Sequence, residues 1–116
     1  VVEEMIAWAV PQVAALGCQP CTLSFGLGRT AVEASSLSLE AMKDGCYDVQ
    51  SEMEKRITDA VNGKGIGPIG LGGASSVLAT FIKIEDMRAS GFRVVSMRPN
   101  CCMEIRKASC EWETVL

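Results

Sequence analysis

The sequence predicts an α/β fold, a single small domain over residues 1–116 with about three to four strands packed against three to four helices. In some segments, apolar residues recur three or four positions apart, which is typical of helices, and other segments have the composition of buried strands. The two kinds of segment alternate along the chain with short connections. Alternation of this kind indicates a layered α/β domain.

The first helix is predicted over residues 2–16, where Val, Met, Ile, Ala and Leu side chains recur at helical spacing. Pro11 interrupts this stretch, so we expect a kink or two short helices there. Gly17 is expected to end the helix. Residues 21–27 then alternate well enough to form a half-buried or buried strand.

The next two predicted helices follow a turn in the chain. Thr30 and Glu33 have the spacing of a capping box, which predicts a helix that runs towards Met42. Gly45 is expected to close it. Residues 49–61 predict an amphipathic, partly exposed helix, because their apolar residues are three or four apart and charges occupy the other faces.

Two further strands and a last helix complete the predicted elements. Residues 77–84 have the composition of a buried strand, and residues 93–98 predict another. Pro99 is expected to end that strand. Residues 103–112 predict a short helix. Its inward-facing side chains would be Ile105 and Ala108.

Composition excludes two classes of partner. The net charge is −3 and the basic residues are scattered, so there is no basic patch for nucleic acid. Three Phe, two Trp and one Tyr are too few for a base-stacking surface. No stretch approaches the roughly 18–20 apolar residues that a membrane span needs. We therefore expect neither a nucleic-acid partner nor a membrane.

The start of the chain, Val-Val-Glu-Glu, lacks an initiator Met and the basic, then apolar, layout of a secretion signal. These residues already have the pattern of a helix interior. We interpret the sequence as a truncated chain, a fragment of a gene or a chain whose start is missing.

Six cysteines are many for an intracellular chain, and their even number permits a disulfide scaffold. Such scaffolds are rich in loops, whereas this chain has long apolar periodic segments. We therefore predict reduced thiols and a cytoplasmic location. The spacing Cys18-x-x-Cys21 also permits a zinc or redox site, although no second chelating pair follows.

The most unusual segment is Gly-Ile-Gly-Pro-Ile-Gly-Leu-Gly-Gly, residues 65–73. Glycine-rich loops allow backbone N–H groups to approach an anion closely. The run is not a phosphate-binding loop, because Ala-Ser-Ser follows it in place of Gly-Lys-Ser/Thr. It does not read G-x-G-x-x-G between a predicted strand and a predicted helix either, as the dinucleotide fingerprint requires. A tight chain reversal that binds no ligand is the alternative.

This run closely resembles the glycine loop of iron–sulfur fumarases and tartrate dehydratases. Upstream, Leu-Gly-Cys-Gln-Pro (residues 16–20) and Phe-Gly-Leu-Gly (residues 25–28) resemble the family's Gly-Cys-Pro-Pro segment and its following glycine strand. Downstream, Cys-Met-Glu-Ile-Arg-Lys-Ala (residues 102–108) resembles the segment in which a cysteine precedes a basic pair. The chain as a whole resembles the C-terminal part of the α region of a class I fumarase-type hydro-lyase.

By position, the resemblance implies that Cys18 and Cys102 are two of the three cysteine ligands of a 4Fe–4S cluster. Three ligands leave one iron open to bind the substrate hydroxyl and carboxylate as a Lewis acid, while a base removes the neighbouring proton. The implied substrate pairs are fumarate and malate, or tartrate and oxaloacetate.

The resemblance also implies residues that bind the dicarboxylate. Gly72 and Gly73 would supply backbone donors or close packing. Among the arginines, we favour Arg29, beside the first glycine strand, and Arg106, after Cys102. Surface salt pairing is the alternative for both arginines.

The sequence also departs from the family pattern. The first cluster cysteine and the base belong to the earlier α half and the β region, which these 116 residues do not contain. Ala74 follows the double glycine where the family often has Lys, and Gln19 replaces a common proline. The chain has no histidine. A third ligand within the chain would come from a position that the family does not use; the candidates are Cys21, Cys46, Cys101 and Cys110.

Two functions therefore remain open. The leading hypothesis is a component or fragment of a hydro-lyase, active only with partner α and β chains or in a homo-oligomer. The second is a non-enzymatic truncated homologue that folds and self-associates without a cluster. The catalytic residues stay unknown in both.

Overall fold

The structure, a computed structural model, describes residues 1–103 and 106–114. Within these residues the chain forms three α-helices, a short 3₁₀ turn and one three-stranded sheet, which confirms the predicted α/β class. In chain order the elements are α1 (Val2–Ala15), β1 (Cys21–Gly28), α2 (Ala31–Asp44), α3 (Glu52–Asn62), the 3₁₀ turn (Pro68–Gly70), β2 (Val77–Ile84) and β3 (Val94–Asn100).

The central strand of the sheet is β1, with β2 parallel on one side and β3 antiparallel on the other. Cys21 pairs with Val77 at the start of β2, and Thr22 pairs with Asn100 at the end of β3. The starts of β1 and β2 and the end of β3 therefore meet at one end of the sheet, which we call the Cys21 end.

One face of the sheet is covered by α1 and α3. Alternate residues of β1 point to this face, as expected for a strand. They form the main core with apolar residues of the two helices. The buried members of this core are Met5, Ile6, Ala9, Val13, Cys21, Leu23, Phe25, Leu27, Ile57, Val61 and Val77.

The opposite face is covered by α2, which lies very close to β1. A Cβ on Gly26 would lie 2.0 Å from the carbonyl oxygen of Ala34, so only glycine allows this approach. Farther along α2, Ala41 packs against Ala79 and Phe81 of β2. The site described below therefore lies at the end of a sheet that helices cover on both faces.

The helix predictions need two corrections. We expected a kink or two short helices at Pro11; two separate helices are wrong, because α1 is one helix that continues through Pro11 to Ala15. Pro11 and Ala7 are both exposed, so the carbonyl that loses its amide partner can bind water. The third helix begins at Glu52 and not at Val49, because Ser51 caps it with a full capping box and Val49 is left exposed.

Two predictions for the part of the chain after β2 also need correction. The last strand continues through Pro99 to Asn100. Proline is tolerated there because β3 is an edge strand, and a missing N–H can face solvent. The predicted helix over residues 103–112 is absent from the described residues 106–112. Ala108 is exposed, so burial does not favour a helix there, and Ile105 lies outside the described residues.

In the part of the chain that the structure describes, no helix is both long and apolar enough to cross a bilayer.

Candidate functional site

The glycine loop, residues 63–76, connects α3 to β2 and folds back on itself. A Cβ on Gly67 would lie 2.1 Å from the backbone of Gly72, so the two segments of the loop pack against each other without space for a side chain. The Gly72 amide donates a hydrogen bond of 2.7 Å to the carbonyl of Ile66 and closes the reversal. The loop is therefore a compact chain reversal that its own backbone closes.

Two polar side chains fix the loop to the sheet. The Asn62 side-chain oxygen accepts hydrogen bonds from the amides of Ser76 (2.9 Å) and Val77 (2.8 Å). The Ser76 hydroxyl accepts a hydrogen bond of 2.9 Å from the Gly67 amide. Sequence reasoning missed both residues, because a lone Asn or Ser has no local signal for such long-range bonds.

The part of the loop that precedes β2 presents backbone donors to solvent. Gly72 and Gly73 are exposed, as are Ala74 and Ser75. Among the hydrogen bonds of the described residues, none uses the amide N–H of Gly73, Ala74 or Ser75. Free amides of this kind can bind an anionic oxygen.

The predicted cluster ligands Cys18 and Cys102 both lie at the Cys21 end of the sheet. Cys18 precedes β1, Cys102 follows β3, and both are exposed. A hydrogen bond with the Cys101 thiol raises the pKa of Cys18, and the nearby Cys102 adds a smaller effect of the same sign. The structure thus brings together two cysteines that are far apart in the sequence.

Cys21 has a different environment. Its side chain is buried, and its Sγ donates a hydrogen bond of 3.5 Å to the carbonyl of Ser76. Burial, with a smaller contribution from Cys18, raises the pKa of the Cys21 thiol to about 11. It therefore stays protonated at neutral pH, which weakens the zinc or redox interpretation of Cys18 and Cys21.

The described residues provide an incomplete metal site. They contain no group of three or more Cys, His, Asp or Glu residues arranged to hold a metal ion. Cys18 and Cys102 nevertheless fit two positions of a three-cysteine set, because both thiols are exposed at the same end of the sheet. A third ligand, in addition to Cys18 and Cys102, would have to come from another polypeptide segment.

Contacts with the end of α2 and with the α2–α3 connection hold the segment that carries Cys102. The Tyr47 hydroxyl donates a hydrogen bond of 3.3 Å to the Cys102 carbonyl, and the Tyr47 ring stacks on Phe81 at a centroid distance of 6.0 Å. Lys107 forms an ion pair with Asp44, which also accepts a hydrogen bond of 2.6 Å from Lys83. These bonds, the one from Lys107 first, lower the pKa of Asp44.

The two favoured arginines lie at different places. Arg29 follows β1 at the end of the sheet opposite Cys18, and its Nε is 3.4 Å from Glu33 Oε2. An eight-residue strand such as β1 is about 25 Å long. Arg29 is therefore separated from the glycine loop and the exposed cysteines. Arg106 is exposed and follows Cys102 in the same segment.

Comparison with protein families gives an independent result. A family model described as "Fumarate hydratase (Fumerase)" matches residues 1–111. The search of curated proteins found no match. The matched range includes both exposed cysteines of the predicted ligand set, the whole glycine loop and both favoured arginines.

Proposed function

Because the chain belongs to the fumarate hydratase family, as its sequence resemblance predicted, we propose that it is a component or fragment of a 4Fe–4S hydro-lyase. It corresponds to the C-terminal part of the α region, and its reaction is the dehydration of a hydroxy-dicarboxylate. One observation carries the proposal: Cys18, Cys102 and the glycine loop converge at the Cys21 end of the sheet.

In this proposal Cys18 and Cys102 hold the cluster through their thiolates. When bound, the cluster supplies a Lewis acid that makes the substrate hydroxyl a better leaving group. A third ligand and the base come from other polypeptide segments. The chain is therefore inactive as an isolated polypeptide and acts with partner α and β chains or in a homo-oligomer. The reduced thiols that the sequence predicts favour the cytoplasm.

The glycine loop and Arg106 are proposed to bind the substrate carboxylates. The exposed backbone at Gly72 and Gly73, with the free amide of Gly73, supports a role as hydrogen-bond donor to a carboxylate. Arg106 adds a cation in the segment that carries Cys102. Arg29 stays a predicted substrate-binding residue, but its position favours pairing with Glu33.

The second candidate is a non-enzymatic truncated homologue that folds and self-associates without a cluster. Exposed apolar side chains, among them Leu71, Phe92 and Trp112, give such a chain surface to cover by self-association.

Anaerobic reconstitution distinguishes the two candidates. The chain is incubated with iron, sulfide and a polypeptide that carries the first-ligand region of a family member, and is then separated and assayed. We expect a brown protein with about four irons per chain. Cys18→Ser and Cys102→Ser should each lose most of the iron and the visible absorbance.

Cys46→Ser and Cys110→Ser are matched controls. Both thiols are exposed, and neither contributes to the pKa of Cys18. Equal iron in all four variants would contradict the assigned ligands. A folded wild-type protein that stays colourless and metal-free even in the presence of the added polypeptide would support the non-enzymatic homologue instead.

A further inference from the structure

Cys101 is an exposed cysteine for which the ligand set has no use. It directly follows Asn100, the residue of β3 that pairs with Thr22 of β1. Cys18 lies just before β1 at the same end of the sheet. The antiparallel pairing of β1 and β3 thus brings together two cysteines that are separated by more than 80 positions in the sequence.

The two thiols interact directly. A side-chain hydrogen bond with Cys101 is the largest of the influences that raise the pKa of Cys18. Both residues are exposed, so a small oxidant in solution can reach the sulfur atoms. Neither thiol has to leave a buried position in order to react.

The other nearby cysteines are weaker partners for Cys18. Cys21 is buried, and its Sγ is bonded to the carbonyl of Ser76. Cys102 raises the pKa of Cys18 less than Cys101 does. The Cys102 carbonyl also accepts a hydrogen bond from the Tyr47 hydroxyl. The contacts around Cys18 therefore favour Cys101.

We propose that Cys18 and Cys101 are a disulfide-forming pair that closes when the chain meets a peroxide. Two S–H bonds break and one S–S bond forms, and the two electrons released cleave the O–O bond of hydrogen peroxide. Its two oxygens take the two thiol protons and leave as two water molecules. A small thiol reverses the reaction by thiol–disulfide exchange.

Closing this disulfide would remove Cys18 from the predicted ligand set. That consequence rests on the proposed function, whereas the bond itself depends only on the contact between the two thiols. The pair would hold Cys18 at the reversible disulfide stage and protect it from irreversible over-oxidation when no cluster is bound.

Peptide mapping tests the bond without reference to iron. The reduced, metal-free chain is treated with one equivalent of hydrogen peroxide at low protein concentration, alkylated and digested with trypsin. We expect the free thiols to fall from six to four. Residues 1–29 should be linked to residues 94–106, because trypsin does not cleave before Pro99. Tandem mass spectra should locate the bond at Cys18 and Cys101, with Cys21 and Cys102 alkylated.

Cysteine-to-serine variants then test which cysteines the disulfide requires. Cys101→Ser should lower the yield of linked peptide at least tenfold, whereas Cys102→Ser and Cys46→Ser should leave it unchanged. Circular dichroism checks that each variant is folded. If a variant does not fold, the peptide map of the oxidised wild-type chain still shows whether Cys18 and Cys101 form a disulfide. No linked peptide, or a bond through Cys21 or Cys102, would overturn the proposal.

A second measurement separates this proposal from the proposed function. Wild-type protein is oxidised before reconstitution, and its iron content is compared with that of reduced protein. A disulfide between Cys18 and Cys101, in a chain that binds no iron even when it is reduced, would support the disulfide-forming pair. It would contradict the assignment of Cys18 and Cys102 as cluster ligands. Normal iron loading in protein whose Cys18–Cys101 disulfide is still intact by peptide mapping after reconstitution would remove Cys18 from the ligand set and leave the disulfide proposal unchanged.

Discussion

The Glu54 carboxylate accepts a hydrogen bond of 2.8 Å from the amide of Ile82. Ile82 belongs to β2, an edge strand, and Glu54 lies in the first turn of α3. The other carboxylate oxygen accepts a hydrogen bond of 2.7 Å from the Ser51 amide and completes the capping box. One side chain thus starts the helix and covers an amide at an open edge of the sheet.

Replacing Glu54 should therefore lower the free energy of unfolding by more than the removal of a helix cap alone. For Glu54→Ala we expect the free energy of unfolding to fall by about 1–3 kcal/mol, since two hydrogen bonds to a charged group are lost. Urea titration followed by circular dichroism measures this. Glu52→Ala, in the same first turn, is the control and should cost about 0.5 kcal/mol. Equal losses in the two variants would contradict the double role of Glu54.

Two glycines of the loop should respond differently to a methyl group. Gly67 and Gly70 both have a φ of 69°, so alanine strains the backbone at either position. At Gly70 nothing lies within 4 Å of the added Cβ, whereas at Gly67 the backbone of Gly72 is 2.1 Å away. We expect Gly70→Ala to cost about 1–2 kcal/mol and Gly67→Ala at least about 2 kcal/mol more.

Thermal and urea unfolding compare these two variants. Amide hydrogen exchange of the loop adds a local measurement, because only Gly67→Ala should expose the Gly72 amide that closes the reversal. If the two variants are equally stable, the loop does not pack on itself as described.

The pH dependence of stability should include a contribution from Asp44. Its bonds with Lys107 and then Lys83 hold its pKa below the ordinary value of 3.8. A carboxyl with a lower pKa in the folded state stabilises the fold above its unfolded pKa, and this stabilisation is lost as the pH falls towards the folded pKa. We expect Asp44→Asn to flatten the decline in stability below about pH 5.

Urea titrations at a series of pH values measure that slope. Asp59→Asn, which changes an exposed carboxylate on α3, is the control and should keep the wild-type slope. Parallel curves for wild type and Asp44→Asn would show that the ion pairs with Lys83 and Lys107 do not form in solution.

Cys21 should be the least reactive thiol of the native chain. It is buried, and its pKa is raised to about 11, so little thiolate is present at pH 8. We expect alkylation of Cys21 at least ten times more slowly than of exposed Cys46, and equal rates after unfolding in urea. Mass spectrometry of timed samples measures both rates. Equal rates in the native chain would contradict the burial of Cys21.

Local sequence signals predicted most of the elements. Thr30 caps α2 as its spacing with Glu33 indicated, because its hydroxyl accepts a hydrogen bond from the Glu33 amide three residues away. The Glu33 carboxylate, however, accepts from the Arg29 amide, so the reciprocal half of the predicted capping box is not formed. The errors arose where a distant segment decides the outcome, as for Pro99, whose tolerance depends on β3 being an edge strand.

The α/β class, the family and the glycine loop could be predicted without the structure, because periodicity, glycine content and motif order are properties of neighbouring residues. The contact between Cys18 and Cys101, the burial of Cys21 and the position of Arg29 at the far end of the sheet could not. These facts depend on strand order and register, which pair residues far apart in the chain. Register is set by the burial of whole faces and by hydrogen bonds between strands, and no local stretch of sequence contains that information.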